Sequence, residues 1–272
     1  MSDRRHIIQL LGGVMTLPVL RHPVLAATEA SIDTDELQSI LRRCDAIRNP
    51  PRAFSTEISV TEYRNRQVEE EGRIIVLAQP NAKVGQYDSL VRILEPNRDR
   101  GKMMLKTAEG NEVWFYDPSS RSGMRISLQQ RLLGQAANGD VVSVNLAGAY
   151  QGRIDGTETI LDGDRKQRHC LRLHLESSSR TVTYPSLRYW VDSTSRQPLK
   201  AEFHTDSGRL MKTAYYRRYR QHLGEDRPTE VIILDALSKN LVTTLRYNTF
   251  KAIDVPETWF TREGLDAIPP LS

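Results

Sequence analysis

The stretch HCLRLH, His169 to His174, sets two imidazoles and a thiol close together, the donor types of a zinc site. The alternation around it reads as a strand, on which successive side chains point to opposite faces. His169 and His174 then lie on opposite sides. Cys170 and His174 share a face but stand roughly 13 Å apart at about 3.3 Å per residue. Zinc holds its ligands at about 2.0–2.3 Å, so this spacing offers it no site. Glu158, Asp162 and Asp164 around Gly156 and Gly163 combine carboxylates with glycine as a calcium loop does. The full ligand spacing and its terminal glutamate are missing, and the reading is a solvated hairpin.

A third cluster is Tyr215-Tyr216-Arg217-Arg218-Tyr219-Arg220. Interleaved aromatic and basic side chains can stack on single-stranded nucleic acid. On a strand, however, Met211, Thr213, Tyr215, Arg217 and Tyr219 share one half-exposed face, and an anionic headgroup or acidic partner is the other use for the cations. The sequence holds no GxSxG elbow, no HExxH and no glycine-rich phosphate loop. No catalytic residue, metal or cofactor is expected, and the chain reads as a non-enzyme.

The protein has 272 residues, 39% hydrophobic and 26% charged, enough to bury a sizeable core. Arg4 and Arg5, the short apolar run Ile7–Leu20 and the small residues Val24-Leu25-Ala26 form the pattern of an export signal. That run is too short to span a bilayer. RRHIIQ resembles the twin-arginine pattern, with Asp3 where a hydroxyl residue is usual and isoleucines in place of Phe-Leu. The expected organisation is a signal peptide over 1–26 and one domain over 27–272, located in the periplasm without a lipid anchor of its own. Without Met1–Ala26 the formal charge of +4 falls to about +2, too little to argue for nucleic acid. Cys44 and Cys170 could pair in an oxidising compartment or remain two buried thiols, and the sequence leaves both open.

These residues have to be positioned by elements, and nearly all of them are strands. Asp33–Arg48 reads as an amphipathic helix: Leu37, Ile40, Leu41, Cys44 and Ile47 recur at helical spacing. Asp33 with Glu36 resembles a capping box, and Asn49-Pro50-Pro51 ends the helix. Twelve candidate strands follow, from Phe54–Arg64 to Val242–Ile253, separated by turn residues such as Asp206-Ser207-Gly208. Leu128–Gly139 reads as a short helix with a loop onward to Tyr150. The fold class is mainly β (α+β): a large curved antiparallel sheet forming an incomplete barrel, covered by a few helices. Two short helices cannot fill such a sheet, so it either packs on itself or leaves a cavity.

Trp114, Phe115 and Tyr116 stand in a row in a chain that is only 7% aromatic. GKMMLKTAEGNEVWFYDPSSRSGMRIS, with Gly101, Trp114, Tyr116 and Pro118, resembles the centre of the LolA-like outer-membrane lipoprotein-sorting proteins. The stretches YPSLRYWVDSTSRQPLKAEFHTDSGRLMKT and DVPETWFTREGL agree in the same order. The resemblance runs from about Asp35 to Leu265, and the order and spacing of the motifs are what make it specific. It departs at GQAANGDVVSVNLAGAY, before Tyr150, where related proteins carry a glycine with an aromatic and acidic run.

The resemblance implies a hydrophobic cavity under helical lids that holds acyl chains of a lipoprotein or lipid crossing the periplasm. It also implies a monomer that meets an inner-membrane transporter and an outer-membrane acceptor. Trp114 and Tyr116 are the expected cavity wall, with Tyr189 and Val191 as companions and Leu37 and Leu41 on the lid helix. Two other uses of the same sheet remain: an accessory lipid-binding protein of an inner-membrane exporter, or a sensor of mislocalised lipoprotein.

Overall fold

The computed structural model describes residues 24–110, 112–133, 136–177, 182–238 and 240–269. The expected export signal lies outside the described residues except at Val24–Ala26, which belong to the first helix, α1 (Val24–Arg48). α1 starts nine residues before Asp33, so the expected capping box lies inside the helix. The cause is local: alanines and a glutamate before Asp33 are good helix formers and carry the helix past the cap signal. Its apolar stripe behaves as read, with Leu37, Leu41, Cys44 and Ile47 at most 1% exposed.

β1 (Phe54–Arg64), β2 (Gln67–Asn81), β3 (Gln86–Glu95), β4 (Met103–Lys106), β5 (Val113–Asp117) and β6 (Ser122–Arg125) form a first antiparallel meander. A small ribbon of β7 (Arg131–Leu133) and β8 (Ala136–Ala137) leads through two single-turn helices, α2 (Asn138–Val141) and α3 (Leu146–Ala149). A second meander follows: β9 (Tyr150–Leu161), β10 (Gln167–Ser177), β11 (Ser186–Asp192), β12 (Pro198–His204), β13 (Leu210–His222), β14 (Glu225–Asp235) and β15 (Leu241–Tyr247). β15 pairs with β1 and joins the two, and β16 (Lys251–Ala252) lies beside the start of β1. The sheet ends at β6 on one side and β9 on the other, so it is not closed.

Two readings are corrected here. The Leu128–Gly139 helix is not formed; its place is taken by the β7–β8 ribbon and the start of α2. Gly134 at its centre costs about 1 kcal/mol against alanine, in a segment at the length where a helix is marginal by itself. β9 is not among the twelve expected strands, because its residues are mostly polar and include two glycines. Those glycines serve the strand. A Cβ at Gly152 would stand 1.8 Å from the His174 carbonyl oxygen, and Gly156 takes a φ of +107°.

Register assigns the faces. Val76, Val91 and Met104 are cross-strand partners and lie on the inner face, where they join the α1 stripe in one core. Leu77, Leu90, Leu105 and Trp114 pair across the same strands on the outer face. There the C-terminal segment covers them with Phe260, Leu265 and Ile268. Both faces of the first meander are thus covered by the chain itself over β2 to β5, while β6 at the edge is exposed.

α1 is tied down at its C-terminal end by Arg227, whose side chain is fully buried. Its guanidinium donates to the carbonyls of Ala46, Ile47 and His222 at 2.8–2.9 Å, a cation placed where a helix exposes its last carbonyls. Arg43 adds a two-pronged ion pair to Glu225. Arg227→Met should lower unfolding free energy by about 2–4 kcal/mol, because the carbonyls lose a charged donor and stay buried. Urea denaturation measures it, and a loss under about 0.5 kcal/mol would mean the arginine is not what anchors the helix.

Candidate functional site

Between the inner face, α1 and the α2–α3 segment lies a cavity of about 320 Å³. Val76, Leu187, Ala214, Val231, Ile233 and Leu245 give it an apolar strand wall, and Val141, Val142 and Leu146 give it a roof. The space exists because one helix cannot cover the inner face and α2 and α3 are single turns. Asn49 and Gln86 bind the roof at Val144 and Asn145, with hydrogen bonds of 2.9–3.0 Å.

The charged groups at the cavity fall into two kinds. Asp140 is fully engaged: it accepts from Lys212 at 2.6 Å, from the Tyr184 hydroxyl at 2.6 Å and from the Ala137 N–H at 2.7 Å. Asp45 accepts from the Leu146 and Ala147 N–H groups at 2.8 and 2.9 Å and so fastens α3 to α1. Burial pushes its pKa up to about 6, against the pull of Arg48 and those two hydrogen bonds. Arg48, by contrast, lines the cavity with its nearest carboxylate, Asp45, at 3.8 Å. Burial disfavours its charge, and Tyr189, Tyr216, Asp45 and Tyr247 more than restore it. Lys106 is 4% exposed and donates to the Tyr87 carbonyl at 3.3 Å; burial lowers its pKa.

Of the residues expected at the site, Tyr189 lines the cavity. Leu37, Leu41 and Val191 lie behind the lining, in the core that surrounds it. Trp114 and Tyr116, expected on the cavity wall, are on the other side of the sheet. Tyr116 packs in the cluster of Phe260 and Leu265 and its hydroxyl bonds Asp266; the Trp114 ring lies 4.3 Å from the Arg262 guanidinium. Val113 is the inward residue of that strand. Alternation gave the parity of β5 but not its sign, since both faces are apolar. Arg48, Tyr216 and Tyr247 were missed. In the sequence Arg48 marks only the end of a helix, and the tyrosines are legible only as the apolar parity of β13 and β15.

The other clusters have local partners. Arg217 bonds Glu230, Gly163 and Asp164, and Arg218 lies 3.2 Å from Glu230, so these cations are neutralised within the protein. The His169 ring meets the Thr159 hydroxyl at 3.5 Å, while His174 meets Glu176 at 3.0 Å. No group of three metal-ligating side chains converges among the described residues. Asp162 organises the β9–β10 turn through the N–H groups of Asp164 and Lys166. Cys44 lies in the inner core and Cys170 in a separate cluster with Trp190, so both are free thiols. Burial raises their pKa values to about 12 and about 11. Among the described residues, no helix is long and apolar enough to cross a membrane.

A family model described as "Uncharacterized protein" matches residues 85–267. A LolA superfamily protein from Nitrosomonas europaea is 35% identical, with a TM-score of 0.73 over 83% of this chain and 97% of its own. An outer membrane lipoprotein-sorting protein domain from Vibrio parahaemolyticus superimposes with a TM-score of 0.70 at 16% identity, covering 84% and 97% of the two chains. A DUF1329 family protein from Desulfovibrio piger gives 0.72 at 16% identity, covering 86% and 99%. No curated protein matches the chain.

Asp45 gives the site a pH signature. Its folded pKa of about 6 stands above the ordinary 3.8, so between those values the folded chain keeps a proton that the unfolded chain has lost. Its contribution to stability is whole below the lower value and is lost as pH rises through the upper one. Asp45→Asn, neutral throughout, should therefore gain about 1–3 kcal/mol relative to wild type between about pH 4 and pH 7. Denaturant titrations at both pH values check this; a constant difference between the two proteins would place the Asp45 pKa back in the ordinary range.

Proposed function

The chain belongs to the LolA superfamily, and on that premise we propose that it is a periplasmic carrier for acyl chains of lipoproteins or lipids bound for the outer membrane. The observation that carries this reading is the under-filled space of about 320 Å³ between sheet, helix and roof. Its wall is mostly apolar, and the volume lies at the lower end of the range of about 300–1,000 Å³ for ligand sites. Each methylene removed from water contributes about 0.8 kcal/mol. About eight of them give roughly 6 kcal/mol, a dissociation constant in the tens of micromolar.

That affinity is of the kind a carrier without an internal energy source needs. It holds cargo against water and yields it to an acceptor that buries more. An inner-membrane transporter loads the cavity and an outer-membrane acceptor empties it, with the carrier acting as a monomer. The roof is the gate: α3 hangs on Asp45, and the residues just before it on Asn49 and Gln86, by hydrogen bonds, which open more readily than a packed core.

Native mass spectrometry of protein purified from the periplasm should show co-purified acylated species. Ala214→Leu, which fills the cavity, should weaken binding of the uncharged probe phenylnaphthylamine by about tenfold, as about 1.4 kcal/mol of overpacking implies. Trp114→Ala, on the outer face, should leave that affinity unchanged. An empty wild-type protein that ignores the probe sinks the carrier reading.

A further inference from the structure

The cavity wall carries polar groups that an acyl chain alone does not answer. Tyr189 is 1% exposed and its hydroxyl has no hydrogen-bond partner; the Thr56 hydroxyl, 3% exposed, has none either, and both residues line the cavity. Buried polar groups nearly always find partners, so two unpartnered hydroxyls on residues that line one space are notable, and an acceptor reaches them with a small shift of the wall. Arg48 and Lys106 line the same space. The ion pair Arg48 makes, with Asp45 at 3.8 Å, is too long for a hydrogen bond, and that carboxylate already accepts from two backbone N–H groups. The other charge on the wall, Asp140, is neutralised by Lys212 and Tyr184.

Lys106 already donates to the Tyr87 carbonyl, so the groups the cavity leaves unmatched are the Arg48 guanidinium and the two hydroxyls. What complements that set is an anionic group with several oxygens, for which guanidinium and tyrosine hydroxyl are suited donors. We propose that the cavity takes a single-chain amphiphile with a carboxylate or phosphate head. The head accepts hydrogen bonds from Arg48 and the Tyr189 hydroxyl, and the chain lies along Val76, Leu187, Val231 and Ile233. This rests on the carrier reading and narrows its cargo from any acyl chain to an anionic one.

The test is calorimetric binding of dodecanoate, dodecyl phosphate and dodecanol, each below its micelle threshold, to the whole protein. Both anions, or one of them, should bind wild type about tenfold more tightly than the alcohol, the size of one charge-assisted hydrogen bond. The tighter anion identifies the head as carboxylate or phosphate. Arg48→Met should abolish the preference. Tyr189→Phe should cut it about three- to tenfold and raise the melting temperature by about 2–4 °C, because it deletes a buried hydroxyl that has no partner. If Arg48→Met does not fold, Tyr189→Phe decides: an unchanged preference overturns the proposal. Equal binding of alcohol and anions to wild type overturns it and leaves the carrier standing; no binding of any of the three removes the carrier reading as well.

Discussion

An open sheet with two apolar faces must have both covered, and the rest of this structure follows from how little cover the chain supplies. The sheet places thirteen strands side by side. At about 4.8 Å between strands it is about 58 Å across before it curves, while a helix with its side chains is about 10–12 Å wide. α1 therefore covers a stripe and not a face. Curvature brings opposite strands together around it, and what remains uncovered is the cavity. On the outer face the same shortage is met differently, by the extended C-terminal segment that sets Phe260, Leu265 and Ile268 against β2 to β5.

Because cover is scarce, the pieces that provide it are held by buried polar groups in place of extra apolar area. Arg227 holds the C-terminal end of α1, Asp45 joins α3 to α1, and Asp140 joins α2 to β13 through Lys212. A buried charge is favourable only when its hydrogen bonds are made; Asp45 and Asp140 accept from the donors around them, and Arg227 makes three bonds while its Nη2 has no partner. Arg48 departs from that rule, with its nearest carboxylate at 3.8 Å. The contrast within one small region is what separates groups that hold the fold from groups that face the cavity.

Much of the fold could be read in the sequence, for definite reasons. Phe54–Arg64 and Ser186–Asp192 were bounded as they occur, because alternation and turn residues both mark their ends. The stripe Leu37, Ile40, Leu41, Cys44 and Ile47 was legible because helical spacing and burial coincide. β9 was not, since an edge strand with mostly exposed side chains lacks the apolar signal that alternation depends on. Of the expected site residues, Tyr189 lines the cavity, whereas Trp114 and Tyr116 lie on the other side of a strand whose alternation is legible. Which side is inward depends on Phe260 and Leu265, more than 140 positions later in the chain. No local pattern carries that.

On the carrier function proposed above, the scarcity of cover would also limit affinity. The cavity of about 320 Å³ would then admit part of a chain, and a longer one would enter by displacing the roof. Displacement breaks the hydrogen bonds from Asp45, Asn49 and Gln86 to residues 144–147. Each lost bond opposes binding by about 0.5–1.5 kcal/mol, comparable to the gain of about 0.8 kcal/mol from one methylene. Gain and opening cost therefore rise together over the first few methylenes. Affinity increases slowly with cargo length, which suits loading and release at equilibrium. A fully packed sheet would have no such compliance, and a wider open bowl would have no restraint on release.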